Sequence, residues 1–417
     1  MVIRRDAYLQ KLIDRMGNGM VKIITGIRRC GKSYLLFEIF RSYLLSQGVD
    51  PSHIIALQLD DRANREYLDP DALYRHIRGL IVDEEPYYIL LDEVQLAKEF
   101  ESVLLSLLHI HNADIYATGS NAKFLSSDII TEFRGRGDQV HLSPLSFSEF
   151  FAASSLDFED AWNEYSVYGG MPYLLSCRSV EQKISYLRNL FEETYLKDIV
   201  NRYNLRNEDV LEEILNIVSS DIGSLTNPNK LSKTFRSIKN KAIAPETIRQ
   251  YLDYFVDSFL IRKAHRYDVK GKGYINTPLK YYFSDMGLRN ARLNFRQIEE
   301  SRAMENIIYN ELMIRGFNVD VGVVPIGEKN ENGNYVQKQL EVDFVCNLGY
   351  ERYYIQSALS IDEAEKREQE ERPLLRIDDH FRKIVIVRKS ISPRKDENGV
   401  LFLGLKTFLL EPESIRL

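Results

Sequence analysis

The sequence predicts an α/β fold built on a parallel sheet with a phosphate-binding loop, and three observations carry that prediction. Residues 21–25 are a short β-prone apolar run that leads through Gly26-Ile27-Arg28-Arg29-Cys30-Gly31-Lys32-Ser33 into residues 34–43, which have helical periodicity. Residues 87–91 form a continuous apolar run of the kind buried in parallel sheets, and it passes directly into Asp92-Glu93. Residues 53–59, 114–118 and 139–142 read as further strands of the same core.

Composition narrows the class. With 44% hydrophobic and 28% charged residues in 417, the chain is neither disordered nor fibrous, and its length predicts two to four domains with cores of their own. Lys+Arg 55 against Asp+Glu 61 leaves a net charge of -6, so any basic surface for nucleic acid must be local. Cys30, Cys177 and Cys346 lie far apart without metal-ligand spacing, which argues against a zinc site or a disulfide framework and fits a reducing, cytoplasmic setting. Residues 1–16 read as an amphipathic helix. No apolar run approaches the ~20 residues that span a bilayer, so neither membrane insertion nor export is expected.

The strand, glycine loop and helix of residues 21–43 match a P-loop, whose backbone N–H groups wrap the phosphates of a nucleotide. Candidate nucleotide-binding residues are Gly26, Ile27, Arg28, Arg29, Cys30, Gly31, Lys32, Ser33 and Tyr34. Lys32 reaches the β and γ oxygens, and Ser33 offers its hydroxyl to Mg²⁺. Gly26 and Gly31 fall where a side chain would block the turn or the phosphate. Arg28 and Arg29 occupy variable positions and no role is assigned to their side chains. Cys30 is either an oxidation-sensitive thiol or a small filler. Asp92-Glu93 after its strand is a Walker B signature: Asp92 joins Ser33 around Mg²⁺, and Glu93 orients and deprotonates the attacking water. The plainer alternative is an acidic loop after a core strand.

Ser120 and Asn121 follow the strand at 114–118 and would sit between the two phosphate-site strands. Either one senses the γ-phosphate and positions water, or the pair makes a turn and a helix cap. Phe133-Arg134-Gly135-Arg136-Gly137 is a short basic turn, in which Arg134 or Arg136 is a candidate arginine finger for a neighbouring subunit, the alternative being a solvated loop. A finger acting in trans requires a homo-oligomer.

Six stretches together carry a family likeness: G-I-R-R-C-G-K-S at 26–33, L-L-D-E-V-Q at 90–95, T-G-S-N-A at 118–122, F-R-G-R-G at 133–137, L-S-P-L-S-F-S-E-F at 142–150 and Y-G-G-M-P at 168–172. Over nearly its whole length the chain resembles the prokaryotic AAA+ ATPases that carry a C-terminal restriction-endonuclease-like domain of unknown function. The resemblance implies an ATP-binding AAA+ core, a winged-helix middle and a nuclease-like end.

The middle of the chain reads the same way from its residues. Helical segments at 181–202 and 211–219 are followed by residues 230–273, where eleven Lys/Arg face four Asp/Glu. Residues 231–239 and 245–256 read as helices, with Pro245 suited to a first helical position. Residues 259–266 and 274–276 read as strands flanking the basic tip Lys270-Gly271-Lys272-Gly273, and the order describes a winged helix. Such a module either contacts double-stranded DNA or packs against protein. Arg249 and Gln250 on its second helix stand among Glu246 and Asp253, which favours sequence-independent phosphate contact over base reading.

From residue 302 onward, a helix with Glu305, strands at 318–324, 342–346 and 353–358, an acidic helix at 361–371 read as a solvated face, and a strand at 383–388 resemble a restriction-endonuclease-like core. Active members of that class gather Mg²⁺ with a helix glutamate, an Asp and a Glu-x-Lys. Glu305 and Asp343 fill the first two places, but the third reads Gln356-Ser357-Ala358, so nuclease activity is expected to be lost.

The expected organisation is a P-loop NTPase (AAA+) core at 1–155, a helical extension at 156–204, a winged helix at 205–290 and a degenerate nuclease-like α/β domain at 291–417. The expected function is Mg²⁺-dependent ATP hydrolysis coupled to domain rearrangement. A rival is an ATP-controlled switch with little turnover that contacts DNA or protein, and a third reading is an ATP-dependent nuclease.

Overall fold

The computed structural model describes residues 3–119, 133, 135–238, 242–329 and 335–417. They form two compact units, Met1–Pro144 and Leu145–Leu417.

In the first unit α1 (Asp6–Ile13) precedes β1 (Val21–Thr25), which feeds α2 through the glycine loop. Helix α2 runs as an α-turn at Lys32–Tyr34, a π-helical stretch at Leu35–Phe40 and an α-helical stretch at Arg41–Ser46. Then come β2 (Ile54–Gln58), α3 (Pro70–Leu80), β3 (Tyr87–Asp92), α4 (Phe100–Leu107), β4 (Ala113–Thr118) and β5 (Gly137–His141). Helix α3 starts where Asp69 accepts the N–H of Ala72 and Pro70 fills the first turn, and it buries Leu73 and Ile77, one turn apart. Those residues join Val103, Leu104 and Leu107 of α4 on one core with Val21 and Ile23 of β1 and Ile89 and Leu91 of β3. Burial of this apolar surface holds the layer together.

The five strands are parallel in the order β2-β3-β4-β1-β5. Strand β4 is thus inserted between β1 and β3, as the sequence reading of residues 114–118 requires. Ile24 lies level with Thr118 and Leu91 with Ala117, so the ends of β1, β4 and β3 meet at one edge of the sheet. All of β1 is buried, including Lys22, whose ammonium pairs with Asp114 on β4 and lies over the Tyr116 ring. A lone cation there would be untenable.

The second unit begins with α5 (Phe147–Ala153), α6 (Phe158–Tyr168), α7 (Val180–Asn189, continuing as Leu190–Leu196 and Lys197–Tyr203) and α8 (Glu208–Ser220). The S-F-S-E motif is a capping box: Glu149 N–H donates to Ser146 Oγ at 3.2 Å and Ser146 N–H to Glu149 Oε2 at 2.9 Å. There follow β6 (Leu225–Thr226), α9 (Pro228–Ile238), α10 (Pro245–Asp257) and the antiparallel pair β7 (Ile261–Asp268) and β8 (Gly273–Phe283). The remainder is α11 (Met286–Arg292), α12 (Glu300–Ile314), β9 (Asn318–Lys329), β10 (Tyr335–Leu348), β11 (Glu351–Ala358), α13 (Ala364–Leu375), β12 (Arg382–Val387), β13 (Arg394–Lys395), β14 (Leu401–Gly404) and α14 (Leu405–Leu410).

The Y-G-G-M-P motif has a packing explanation in this unit. Gly170 N–H donates to the buried Asp285 carboxylate at 2.7 Å, and a Cβ on Gly169 would lie 2.2 Å from the same carboxylate. Asp285 also caps α11 through the N–H of Leu288.

One nine-stranded sheet runs β13-β14-β12-β11-β10-β9-β7-β8-β6. Strand β7 pairs in parallel with β9, from Arg266 opposite Val321 to Asp268 opposite Val323. The hairpin read as a wing and the strands read as a C-terminal domain therefore share a sheet. The acidic helix also departs from expectation. Asp362, Glu363, Glu365 and Glu368 are exposed, but Glu371 is buried against Arg367 at 2.5 Å and Glu370 bonds Gln356. The face is solvated only in part, because an i, i+4 arginine lets Glu371 be buried as a pair.

Candidate nucleotide site

The glycine loop joins β1 to α2 at the edge where the strands end, the usual ligand-binding edge of parallel sheets. Gly26 has φ +143°, and a Cβ there would lie 2.1 Å from the Leu142 carbonyl oxygen, so the position admits no side chain. Gly31 (φ +102°) and Arg29 (φ +62°) are also left-handed, and α2 starts at Lys32. Lys32 is 5% exposed, and its ammonium donates to the carbonyls of Gly26 (3.0 Å) and Ile27 (3.2 Å), inside the curve of the loop. Ile27 and Cys30 are buried, while Arg28, Ser33 and Tyr34 are half-buried and Arg29 is exposed. The Cys30 thiol donates to Leu142 O at 3.4 Å, and burial pushes its pKa up against the pull of Lys32 and Arg5. A protonated, enclosed thiol suits a filler rather than an oxidation sensor.

Arg5, unnoticed in the sequence, clamps this loop from beneath. The residue is buried, and its guanidinium donates to the carbonyls of Cys30 (3.3 Å) and Ser143 (2.7 Å), linking the loop to the chain leaving β5. Its only sequence signal is an arginine ahead of an amphipathic helix.

Two strands away, Asp92 closes β3 at 2% exposure. Thr118, the last residue of β4, donates its hydroxyl to Asp92 and accepts the Glu93 N–H at 3.2 Å. Glu93 itself is half-exposed and left-handed, with φ +50° and ψ 44°. Non-glycine residues in that region are uncommon and cluster at functional sites. The Gln95 amide donates to the Glu93 carboxylate from the next turn. Thr118 therefore fixes both acidic residues, and its signal was a polar residue ending an apolar strand in the T-G-S-N-A stretch. Ser120 and Asn121, placed in this role from the sequence, lie outside the described residues, as do Arg134, Lys239 and Lys241.

Arg136 is described and exposed. It directly precedes β5, whose first residue, Gly137, lies opposite Val21 at the start of β1. The loop that follows Thr25 is thus about 13 Å or more away along the strand, at ~3.3 Å per residue. Arg136 lies beyond reach of the glycine loop of its own chain.

Ser33 and Asp92 supply a hydroxyl and a carboxylate, an all-oxygen set that suits Mg²⁺. Among the described residues there is no group of three or more His, Cys, Asp and Glu arranged to hold a metal.

The second unit brings Glu305, Asp343 and Gln356 into one neighbourhood. Asp343 accepts the Ser357 N–H at 2.8 Å and donates its own N–H to Gln356 Oε1 at 3.2 Å. Burial, then the charge of Glu305, pushes the Asp343 carboxyl well up. Lys280 of β8 enters the cluster, 3.0 Å from Glu305 and 2.7 Å from Glu341. Burial opposes its charge, but the carboxylates of Glu305, Asp343 and Glu341 outweigh that and push its pKa up.

Comparison with known proteins agrees with the first unit. Residues 18–151 match a family model described as an AAA domain, and residues 159–299 match one described as a domain of unknown function. An uncharacterised protein of Haemophilus influenzae is 32% identical over 394 residues, covering 93% of this chain and 94% of the relative. An uncharacterised protein of Methanocaldococcus jannaschii is 26% identical over 385 residues, covering 88% of this chain and 80% of the relative. Among solved structures, the Aeropyrum pernix ORC2 protein in ADPNP-ADP complexes aligns at TM-score 0.36 with 13% identity over 69% of this chain and 92% of its own. The Aeropyrum pernix ORC1 protein in complex with DNA aligns at TM-score 0.29 with 10% identity over 70% and 93%. No helix among the described residues is long and apolar enough to cross a membrane.

Proposed function

This chain belongs to the same family as the Haemophilus influenzae protein and is an ATP-binding protein of the AAA+ P-loop class, and from that premise we propose that it hydrolyses ATP with Mg²⁺ and couples turnover to domain rearrangement. The observation that carries the reading is the Asp92–Thr118–Glu93 network at the strand edge that also bears the Lys32 loop. In this reading the loop N–H groups hold the phosphates, and Lys32 turns from the Gly26 and Ile27 carbonyls to the β and γ oxygens. Ser33 and Asp92 hold Mg²⁺, which when bound supplies charge neutralisation on the phosphate oxygens. Glu93 orients the attacking water and takes its proton.

Residues 205–290 are the proposed winged helix. Exposed Lys230, Lys233, Arg236, Arg249, Lys270 and Lys272 support phosphate contact with duplex DNA, although Lys270 also donates to the Pro325 carbonyl at 3.1 Å. Residues 291–417 are proposed as a degenerate nuclease-like domain, a reading supported by Gln356 and Ala358 at the third motif and by Lys280 among the carboxylates. The parts at 1–155 and 156–204 remain the proposed core and extension.

The rival reading is an ATP-controlled switch with little turnover, in which ATP occupancy rather than hydrolysis changes contact with DNA or a protein. Single-turnover hydrolysis beside binding of a labelled duplex separates the two. The hydrolase reading expects the parent to turn over and Glu93→Gln to retain ATP but stall. A Glu93→Gln variant at the parent rate would show that the base is assigned wrongly. Slow parent turnover with strongly ATP-dependent duplex binding would favour the switch.

A further inference from the structure

Gln95 lies two residues beyond the proposed base, in the single helical turn Val94–Leu96. Its amide nitrogen donates to one carboxylate oxygen of Glu93. The orientation is fixed by chemistry, since a carboxylate only accepts and so must face the NH₂ end of the amide. The other end, Gln95 Oε1, is buried and accepts no hydrogen bond among the described residues. A buried amide kept only for packing or stability would be expected to satisfy both ends, because an orphaned acceptor carries the full desolvation penalty. Here the side chain leaves one end unsatisfied and spends its other on the acid that the proposed hydrolysis uses.

We infer that Gln95 is a positioning residue for Glu93, a reading that rests on the proposed hydrolase function. Three constraints then converge on Glu93. Its left-handed backbone aims the side chain, Thr118 holds its N–H at 3.2 Å, and Gln95 holds one carboxylate oxygen. In the step so arranged, the water oxygen forms a bond to the γ-phosphorus, and one water proton passes to Glu93. The bond from the γ-phosphorus to the bridging oxygen breaks, and its electron pair leaves on ADP.

The test uses the full chain with ATP and Mg²⁺, comparing parent, Gln95→Ala, Gln95→Glu and Glu93→Gln by steady-state hydrolysis and by calorimetric ATP binding. Both Gln95 variants are expected to lose about tenfold or more in kcat, with KM and calorimetric affinity within about threefold, because the lost contact serves the chemical step rather than binding. Gln95→Glu keeps the size of the side chain, so it guards against a packing defect in the alanine variant. Three results would each overturn the inference: parent kcat in Gln95→Glu, a matching loss of kcat and ATP affinity, or a kcat above the parent, which would make Gln95 a restraint. If Glu93→Gln stalls while the Gln95 variants run normally, only this inference fails. If Glu93→Gln runs at the parent rate, or the parent hydrolyses nothing, the reading of the site fails and the inference falls with it.

Discussion

At the end of β4 a single hydroxyl, that of Thr118, donates to Asp92 and accepts the N–H of Glu93. Valine copies its shape without the oxygen, so Thr118→Val leaves a buried carboxylate and a backbone donor each one partner short. The expected result is a stability loss of about 1–3 kcal/mol with turnover reduced, while Thr118→Ser keeps both near the parent. Urea unfolding and steady-state hydrolysis measure the two effects, and a valine variant equal to the parent in both would remove Thr118 from the site. Such residues were only partly legible. Gly26, Gly31, Lys32, Ser33, Asp92 and Glu93 announce themselves through local spacing, because the loop and the acidic pair are each contiguous in sequence. Arg5 and Thr118 act across 25 and 26 positions, on partners that only the tertiary fold brings near.

Among the elements, the loop at Gly169-Gly170 and the start of α11 meet on the Asp285 carboxylate. Burial pushes that carboxyl up from 3.8 to about 6, against the donors Gly170, Leu288 and Gly287. A folded-state pKa above the unfolded one means that the folded chain holds this proton more tightly. The contribution of Asp285 to stability is therefore fully present below about pH 4 and is lost as pH rises through about 6, on the order of 3 kcal/mol in all. Asp285→Asn is expected to flatten that part of the stability profile between pH 4 and 6. Urea unfolding across the window checks it, and an unchanged slope would show that Asp285 is not the group responsible. Strands and helices were largely readable from periodicity, as β1, β3, α10 and α12 illustrate. The sharing of one sheet by the hairpin and the later strands was not. Strand β7 pairs with β9 across 55 residues, and parallel pairing leaves no turn between partners to mark it. The inward turn of Glu370 and Glu371 was equally hidden, since composition counts charges but not the arginine or amide that pairs them.

For the molecule as a whole, the register of β5 puts Arg136 at the edge of the sheet opposite the glycine loop, so a catalytic role for it demands another subunit. Light-scattering mass with a non-hydrolysable ATP analogue is expected to rise above the 48.6 kDa of one chain, and Arg136→Ala is expected to assemble normally yet hydrolyse slowly. A chain that stays monomeric at hydrolysing concentrations would rule the finger out. Every role proposed for these residues depends first on the loop between β1 and α2 receiving the triphosphate. Titration calorimetry of Mg·ATP into the intact chain and into Lys32→Ala tests that most directly. Saturable binding by the parent with at least a hundredfold loss in the variant is the expected result; no heat from the folded parent, or equal affinity in the two proteins, would contradict it.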